Sequence, residues 1–328
     1  MSSTNTYDVV IVGAGPAGMC AALYTGRSML RTAVLERGMP GGELLNTEKL
    51  DDWIGEKSIL GWELARKFEE HSRSFGAEFI TANVHKVKRL EDGTFETVTD
   101  TGDVYQSSAV IVTAGGTPVK LGIPGEQEYA GKGVSYCAIC DGAFFKEHVI
   151  AVIGGGDAAV EEAEFLTRYA SRVYVIHRRD SFRASKILQE RLFANPKIEV
   201  IWNTVAEEVL GDANGLMTGL RIRDVVADTT RTLDATGCFV FIGFRPNTGI
   251  IDGHFDHDEM GYIRTDATMQ TSITGLFAAG DLRSQLTRQV TTAVGDATTA
   301  AIAVEKYLKA RSEGSVEIEP AGSGGYTV

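Results

Sequence analysis

The chain has 328 residues, 43% hydrophobic and 23% charged, with 37 glycines, 7 prolines and a formal net charge of −12. This length allows a substantial core and more than one domain, and the acidic balance argues against nucleic acid or an anionic membrane surface as partner. No stretch approaches the ~18 apolar residues of a membrane span, and the N-terminus lacks the basic region and apolar core of a signal peptide, so a soluble cytoplasmic protein is expected.

The first element is a β-rich apolar run, Val9 to Val12, in "YDVVIVGAGPAGMCAALYTGRSMLRTAVLER". It meets Gly13-x-Gly15-x-x-Gly18, with Pro16 and Ala17 between the glycines, and a small-residue helix and a second strand ending at Glu36-Arg37 follow. The pattern is a dinucleotide-binding turn with its required context of strand before and helix after. The first glycine permits the tight turn, the second lets a pyrophosphate approach the backbone, and the third allows close helix–strand packing. The helix N-terminus then offers unpaired N–H groups and the positive end of its dipole. A carboxylate at position 36 accepts from ribose hydroxyls and repels a 2′-phosphate, so this site is expected to take FAD or NAD. A long loop over Gly38 to Gly61 and a helix near Trp62 to Phe75 come next. Strands then flank "LEDGTF", where Asp92-Gly93 suits a hairpin turn, and a further strand ends at Ala114 before a Gly/Pro-rich crossover.

"GVSYCAICDGAFF" follows, holding Cys137 and Cys140, two of the chain's four cysteines, with Asp141 next to them. A Cys-x-x-Cys can be half a zinc site, a structural disulfide or a redox centre. Four cysteines do not make a disulfide scaffold in a chain this long. Zinc requires two more ligands; Cys20 falls in the first helix and Cys238 in a strand, neither with a ligand neighbour, so both read as core residues and no metal is expected. The next segment, "HVIAVIGGGDAAVEEAEFLTRYASRVYVIHRR", repeats the first unit. A strand from Val149 meets Gly154-x-Gly156-x-x-Ala159, with Asp157 and Ala158 opening the helix. The second strand ends in "HRRDSFR", that is His177, Arg178, Arg179 and Arg183. Guanidinium groups suit bidentate phosphate contacts, so this second site is expected to select the 2′-phosphate of NADPH. After the apolar strand in "GCFVFIGFRPNT" come "GLFAAGD", ending at Gly280-Asp281, and a helix over "RQVTTAVGDATTAAIAVEKYLKA" with small residues on its early face. The tail from Ser312 is expected to be mobile.

In family order, "GAGPAG", "GGEL", "TAGGTP", "IPGE", "CAICDG", "GGGDAAVEEA", "HRRDSFR", "GFRPNT" and "GLFAAGD…RQV" resemble the low-molecular-weight thioredoxin reductases, within the two-dinucleotide-binding flavoprotein disulfide reductases. The resemblance implies an α/β fold of two Rossmann-like, three-layer ββα domains, with an NADPH domain inserted in a discontinuous FAD domain. The expected boundaries are 1–117 and 247–311 for the FAD domain, 118–246 for the NADPH domain and 312–328 for the tail. It assigns Gly13, Gly15, Gly18, Glu36 and Arg37 to the ADP half of FAD, and Gly41, Gly42, Glu43, Leu44 and Asn46 to the flavin and its pyrophosphate. Val84, Ala114, Gly115, Gly280, Asp281, Arg288, Gln289 and Val290 complete that site. Gly154, Gly156, Asp157, Ala158 and Ala159 are to take the NADPH pyrophosphate. The implied activity is NADPH-dependent reduction of thioredoxin's disulfide. In it Cys140 lies nearer the flavin, Cys137 attacks the partner disulfide and Asp141 moves the proton. The resemblance also implies a homodimer, and a domain rotation about Gly115–Thr117 and Gly243–Asn247. The tail with Tyr326 is extra, and an aromatic there stacks on the flavin in some related reductases. The alternative enzyme keeps FAD and the cysteine pair but changes a partner, as in ferredoxin-dependent reductases or dithiol oxidases; the arginine cluster counts against both. A nucleotide-binding sensor without catalysis is a further alternative, with no sequence feature in its favour.

Overall fold

The computed structural model describes residues 5–47 and 49–314, so the expectations for the tail, Tyr326 included, lie from residue 315 outside the described residues. The chain divides into two compact units. One is formed by the residues up to Thr117 together with those from Arg245 onward, the other by Pro118–Phe244.

The first unit is built on parallel strands in the order Glu78–Thr81, Thr32–Glu36, Asn5–Val12 and Val104–Val112. The last of these is long enough to serve two neighbours on one edge. Its first half pairs antiparallel with Phe95–Thr99 and its second half parallel with Leu276–Ala278. Register places Val9 opposite Thr32 and Ala109, and Val12 opposite Leu35 and Val112. Alternate residues of a strand point to opposite faces, and both faces here are covered. Val9 and Ile11 lie in a core with the alanines of the helices Pro16–Arg27 and Val290–Ser312. Val10 and Val12 lie in a second core with Leu35, Phe95 and Ile263. That explains the uninterrupted apolar run, since a central parallel strand has no solvent face. Alanines at the helix contact let the two helices approach closely over the sheet.

The Pro118–Phe244 unit repeats the plan. Five parallel strands run in the order Val134–Ser135, Gly237–Phe241, Val149–Gly154, Arg172–Ile176 and Ile198–Ile201. The helices Asp157–Leu166 and Lys186–Ala194 and a three-stranded antiparallel sheet, Thr204–Gly211, Met217–Asp224 and Thr229–Leu233, belong to the same unit. Ile150 and Val152 pack with Val160 and Ala163 of the first helix, whereas Ala151 and Ile153 pack with Leu220 and Ile222 of the antiparallel sheet. In each unit a glycine turn therefore sits at the carboxyl end of a central strand, where open α/β sheets bind ligands. The crossover segments Gly116–Pro118 and Phe244–Pro246 pair as a two-stranded ribbon.

Candidate functional site

In the first unit the glycine turn is closed by contacts that leave no room for side chains at two of its three glycines. A Cβ on Gly13 (φ +102°) would meet the Thr113 carbonyl oxygen at 2.7 Å, and one on Gly18 would overlap the Gly13 carbonyl. Gly15 differs: its nearest neighbour would be the Gly42 Cα at 3.9 Å, so the space where its side chain would be is free for a ligand. Thr113, which no sequence motif marks, shares its hydroxyl proton between the carbonyls of Val12 (2.9 Å) and Gly13 (2.8 Å). The Glu36 carboxylate accepts from the N–H groups of Ala14 (2.8 Å) and Gly38 (3.0 Å), which fixes it beside the turn with acceptor capacity left for ribose hydroxyls. Arg37 is exposed.

Gly41 (φ +143°) and Gly42 (φ +54°) hold backbone conformations that favour glycine. The Gly41 N–H donates to Ala14, and Gly42 approaches Gly15 so closely that a Cβ would stand 3.0 Å from its Cα. Leu44 anchors this turn in a small core with Leu50, Ile59 and Leu64, and Val290 packs at its margin. Asn46 donates to the Glu43 carboxylate (3.2 Å). Opposite charges hold the other wall. The Gly280 N–H donates to Asp296 (3.2 Å), and Asp296 pairs with Arg283 at 2.7 Å, both side chains mostly buried. Neither residue was foreseen. The one available signal was an aspartate interrupting the small-residue face of its helix. Burial raises the Asp281 carboxyl above its ordinary range, with Glu43 and Asp296 adding to the effect and Arg288 opposing it. Arg288 lies over the Tyr262 ring at 4.0 Å and donates from Nε to the Asp281 carbonyl (3.3 Å). Gln289 is the N-cap of the following helix, joined to Thr292 by a capping box. Val84 is buried in the sheet core, so its backbone, next to an irregularity in strand register, is what it can offer a ligand. Asn247 ties down Ala114 and Gly115 (φ +56°), donating from Nδ2 to the first carbonyl (2.8 Å) and from its N–H to the second (3.0 Å).

The second glycine turn follows the same logic. A Cβ on Gly154 would meet the Phe241 carbonyl and the Ala159 methyl at 2.4 and 2.5 Å, which is why position 159 is small. A Cβ on Gly156 would meet no described atom within 4 Å apart from adjoining backbone. Ala158, in the first turn of the helix, is exposed. The Asp157 carboxylate, expected at the pyrophosphate, accepts from the Ser185 N–H at 2.6 Å and braces the arginine loop; the Arg183 N–H likewise donates to the Gly155 carbonyl (2.8 Å). Arg178, Arg179 and Arg183 are exposed, and none of them pairs with a described carboxylate. His177, expected among them, is instead buried behind the turn, with rings of Phe182 and Trp202 against it at 5.4 and 6.1 Å. A Cβ on Gly155 would collide with its imidazole. Burial lowers the His177 pKa below its ordinary value, as do the neighbouring arginines, so it packs as a neutral ring.

Cys137 and Cys140 form a disulfide with Cα atoms 5.4 Å apart. Cys137 is the N-cap of the single-turn helix Ala138–Asp141, and its Sγ accepts the Cys140 N–H at 3.2 Å. Cys137 is half-buried and Cys140 exposed. Ser135 holds the approach: its hydroxyl accepts the Cys137 N–H and donates to the Cys137 carbonyl, both at 3.1 Å. Cys20 and Cys238 are free. Among the described residues no group of three His, Cys, Asp or Glu side chains is placed to hold a metal ion.

Two glycine turns at strand ends, each with space kept open at its second glycine, and a cysteine disulfide beside a helix start define an oxidoreductase that couples nucleotide cofactors to disulfide chemistry. Residues 7–297 match the pyridine nucleotide-disulphide oxidoreductase family, and the chain belongs to it. It is 44% identical over 313 residues to the thioredoxin reductase of Bacillus subtilis, covering 95% of this chain and 98% of that one. Among solved structures, Lactococcus lactis thioredoxin reductase matches with a TM-score of 0.90 and 42% identity, covering 92% of this chain and 99% of that one. The T. acidophilum thioredoxin reductase matches with a TM-score of 0.87 and 34% identity, covering 92% and 98%. The fold is thus that of two Rossmann-like nucleotide-binding domains, and the family uses a flavin and a pyridine nucleotide.

Proposed function

We propose that the protein is an NADPH-dependent, FAD-containing reductase of thioredoxin's disulfide. The observation that carries it is the cysteine disulfide in the same unit as a glycine turn flanked by three arginines that pair with no described carboxylate, on a protein of net charge −12. Such guanidiniums favour a 2′-phosphate, and so NADPH over NADH and over a ferredoxin donor. The first unit holds FAD: Gly13, Gly15 and Gly18 at the pyrophosphate, Glu36 on the ribose, and Gly41, Gly42, Gly280 and the start of the Val290–Ser312 helix around the ring. Asp281 serves as acceptor for ribityl hydroxyls, a role that suits a carboxylate better than contact with an anionic pyrophosphate. FAD, when bound, carries two electrons from NADPH to the disulfide.

The chain's own residues do the exchange. Reduction of the Cys137–Cys140 bond takes two electrons and two protons, and we assign Asp141, the next residue, to proton transfer. The Cys137 thiolate, stabilised by the Cys140 N–H at its Sγ, attacks one sulfur of thioredoxin's disulfide. A mixed disulfide forms and the first thioredoxin thiolate leaves. Cys140 then attacks the Cys137 sulfur, releasing the second thiolate and restoring the enzyme's bond. Resemblance to the family further supports a homodimer joined through the FAD-binding unit. No helix among the described residues is long and apolar enough to cross a membrane, and we assign the protein to the cytoplasm.

The test is an anaerobic titration of the yellow protein with NADPH, followed by thioredoxin. The flavin bleaches, and thioredoxin then gains two thiols per NADPH consumed. Cys137→Ser and Cys140→Ser keep the bleaching and lose thioredoxin reduction. An unbleached flavin rejects the donor, and bleaching without thioredoxin turnover rejects the substrate.

A further inference from the structure

Outside the groups assigned above, the Pro118–Phe244 unit buries one carboxylate that pairs with no cation among the described residues. Glu126 is 3% exposed, and its oxygens accept from the Leu121 N–H (2.8 Å), the Gly122 N–H (2.6 Å) and the Tyr136 hydroxyl (2.7 Å). All three donors are neutral. A buried charge is costly even when hydrogen-bonded, and a leucine in its place would leave these three donors without their acceptor. What a leucine could not supply is geometry. The backbone donors lie where the chain has just entered this unit, and the hydroxyl belongs to the residue immediately before Cys137. Burial and the hydrogen bond to Glu126 raise the Tyr136 pKa, so the phenol remains a donor across the working pH range. Beyond Tyr136, Ser135 is bonded to both polar backbone atoms of Cys137, and Cys137 caps the turn that holds its partner.

We propose that Glu126 and Tyr136 are positioning residues for the redox turn: through the Tyr136 hydroxyl, the Glu126 carboxylate fixes Cys137 relative to the entry segment and sets the stability of the Cys137–Cys140 bond. This rests on the reading of that pair as the redox centre. Loosening the tie lets the two sulfurs separate more freely once reduced. Closure of the bond then becomes less favourable, and the dithiol becomes a weaker reductant.

The experiment uses the FAD-loaded full chain with Tyr136→Phe, which removes one hydrogen bond and keeps both backbone donors to Glu126. The fraction of protein with a closed Cys137–Cys140 bond is measured in dithiothreitol redox buffers by thiol trapping and mass spectrometry, a reading that needs neither NADPH nor thioredoxin. The expected result is a shift toward the dithiol of about tenfold in the equilibrium constant, ~30 mV for a two-electron couple. Glu126→Gln shifts it in the same direction, and the double variant shifts it no further than Glu126→Gln alone, because the two side chains act as one unit. Leu192→Ala, a core truncation elsewhere in the unit, lowers the melting temperature without moving the equilibrium. An equilibrium within twofold of the parent for Tyr136→Phe, additive effects in the double variant, or an equal shift from Leu192→Ala each overturns the proposal. If the parent's bond responds to the buffers but the protein fails to reduce thioredoxin, the functional assignment falls and this inference stands on its own data.

Discussion

His177 shows how a residue type can indicate one role and its environment another. Beside three arginines in the sequence it reads as part of a cationic cluster, yet its ring is buried against Phe182 and Trp202 and its pKa is lowered. The arginines are left to carry the charge. Arg178→Gln or Arg179→Gln should raise KM for NADPH roughly tenfold each, the effect of losing a charge-assisted hydrogen bond of about 1.5 kcal/mol, and leave KM for NADH nearly unchanged. Steady-state kinetics with both nucleotides checks it, and equal rises for the two would remove the 2′-phosphate assignment. The histidine makes a separate prediction with a definite sign. Its folded pKa lies below the unfolded value of about 6.5, so as pH falls through that value the unfolded chain takes up a proton that the folded ring resists. Stability therefore declines on acidification from pH ~6.5 down to the folded pKa, with a slope of at most ~1.4 kcal/mol per pH unit. Chemical denaturation at pH 7.5 and 5.5 should show a smaller loss for His177→Gln than for the parent chain.

The glycine turns are elements in which identical residues meet different constraints. At Gly18 and Gly154 a methyl group would run into backbone, whereas at Gly156 it would enter open space with an ordinary φ. Gly154→Ala should cost about 1–3 kcal/mol of stability through overpacking. Gly156→Ala should keep the melting temperature and weaken NADPH binding instead, because its methyl group takes the room that close approach of a pyrophosphate requires. A Gly156→Ala protein with unchanged KM for NADPH would place the nucleotide elsewhere. Much of this was legible in the sequence, because a strand, a glycine turn and a helix are local and their spacing is fixed by geometry. What the sequence did not disclose is the bracing. Ser185 on Asp157, Asp296 on Gly280 with Arg283, Thr113 on the first turn, and Glu126 on Tyr136 join residues distant in the chain or across irregular backbone. Such bonds have no periodicity, and any of several polar residues could have supplied them. Asp157 is an example: at a helix start it reads as a ligand-side group, and only the fold reveals the Ser185 N–H it also accepts.

At the scale of the whole molecule, the division of labour creates a problem of access. The cysteine pair and the arginine-flanked turn lie in Pro118–Phe244, whereas the glycine cradle assigned to FAD lies in the other unit. The nucleotide and the disulfide must each exchange electrons with one flavin, and a single face of a flat ring cannot meet both at once. We propose that the units change orientation between the two half-reactions. The crossovers are suited to it: Gly115 and Gly243 have φ of +56° and +120°, and neither has atoms within 4 Å of where a side chain would project. A non-reducible cross-link joining the two units, located by mass spectrometry, should lower steady-state thioredoxin reduction at least about a hundredfold, as expected when a domain motion gates each cycle. One half-reaction should survive, since the linked form is held in one orientation. Either NADPH still bleaches the flavin, or the cysteine pair still communicates with it. Cross-links confined to a single unit serve as the control and should leave turnover intact. Undiminished turnover in the inter-unit product would mean that both partners reach the flavin without rotation, and the assignment of FAD and NADPH to separate units would have to be redrawn.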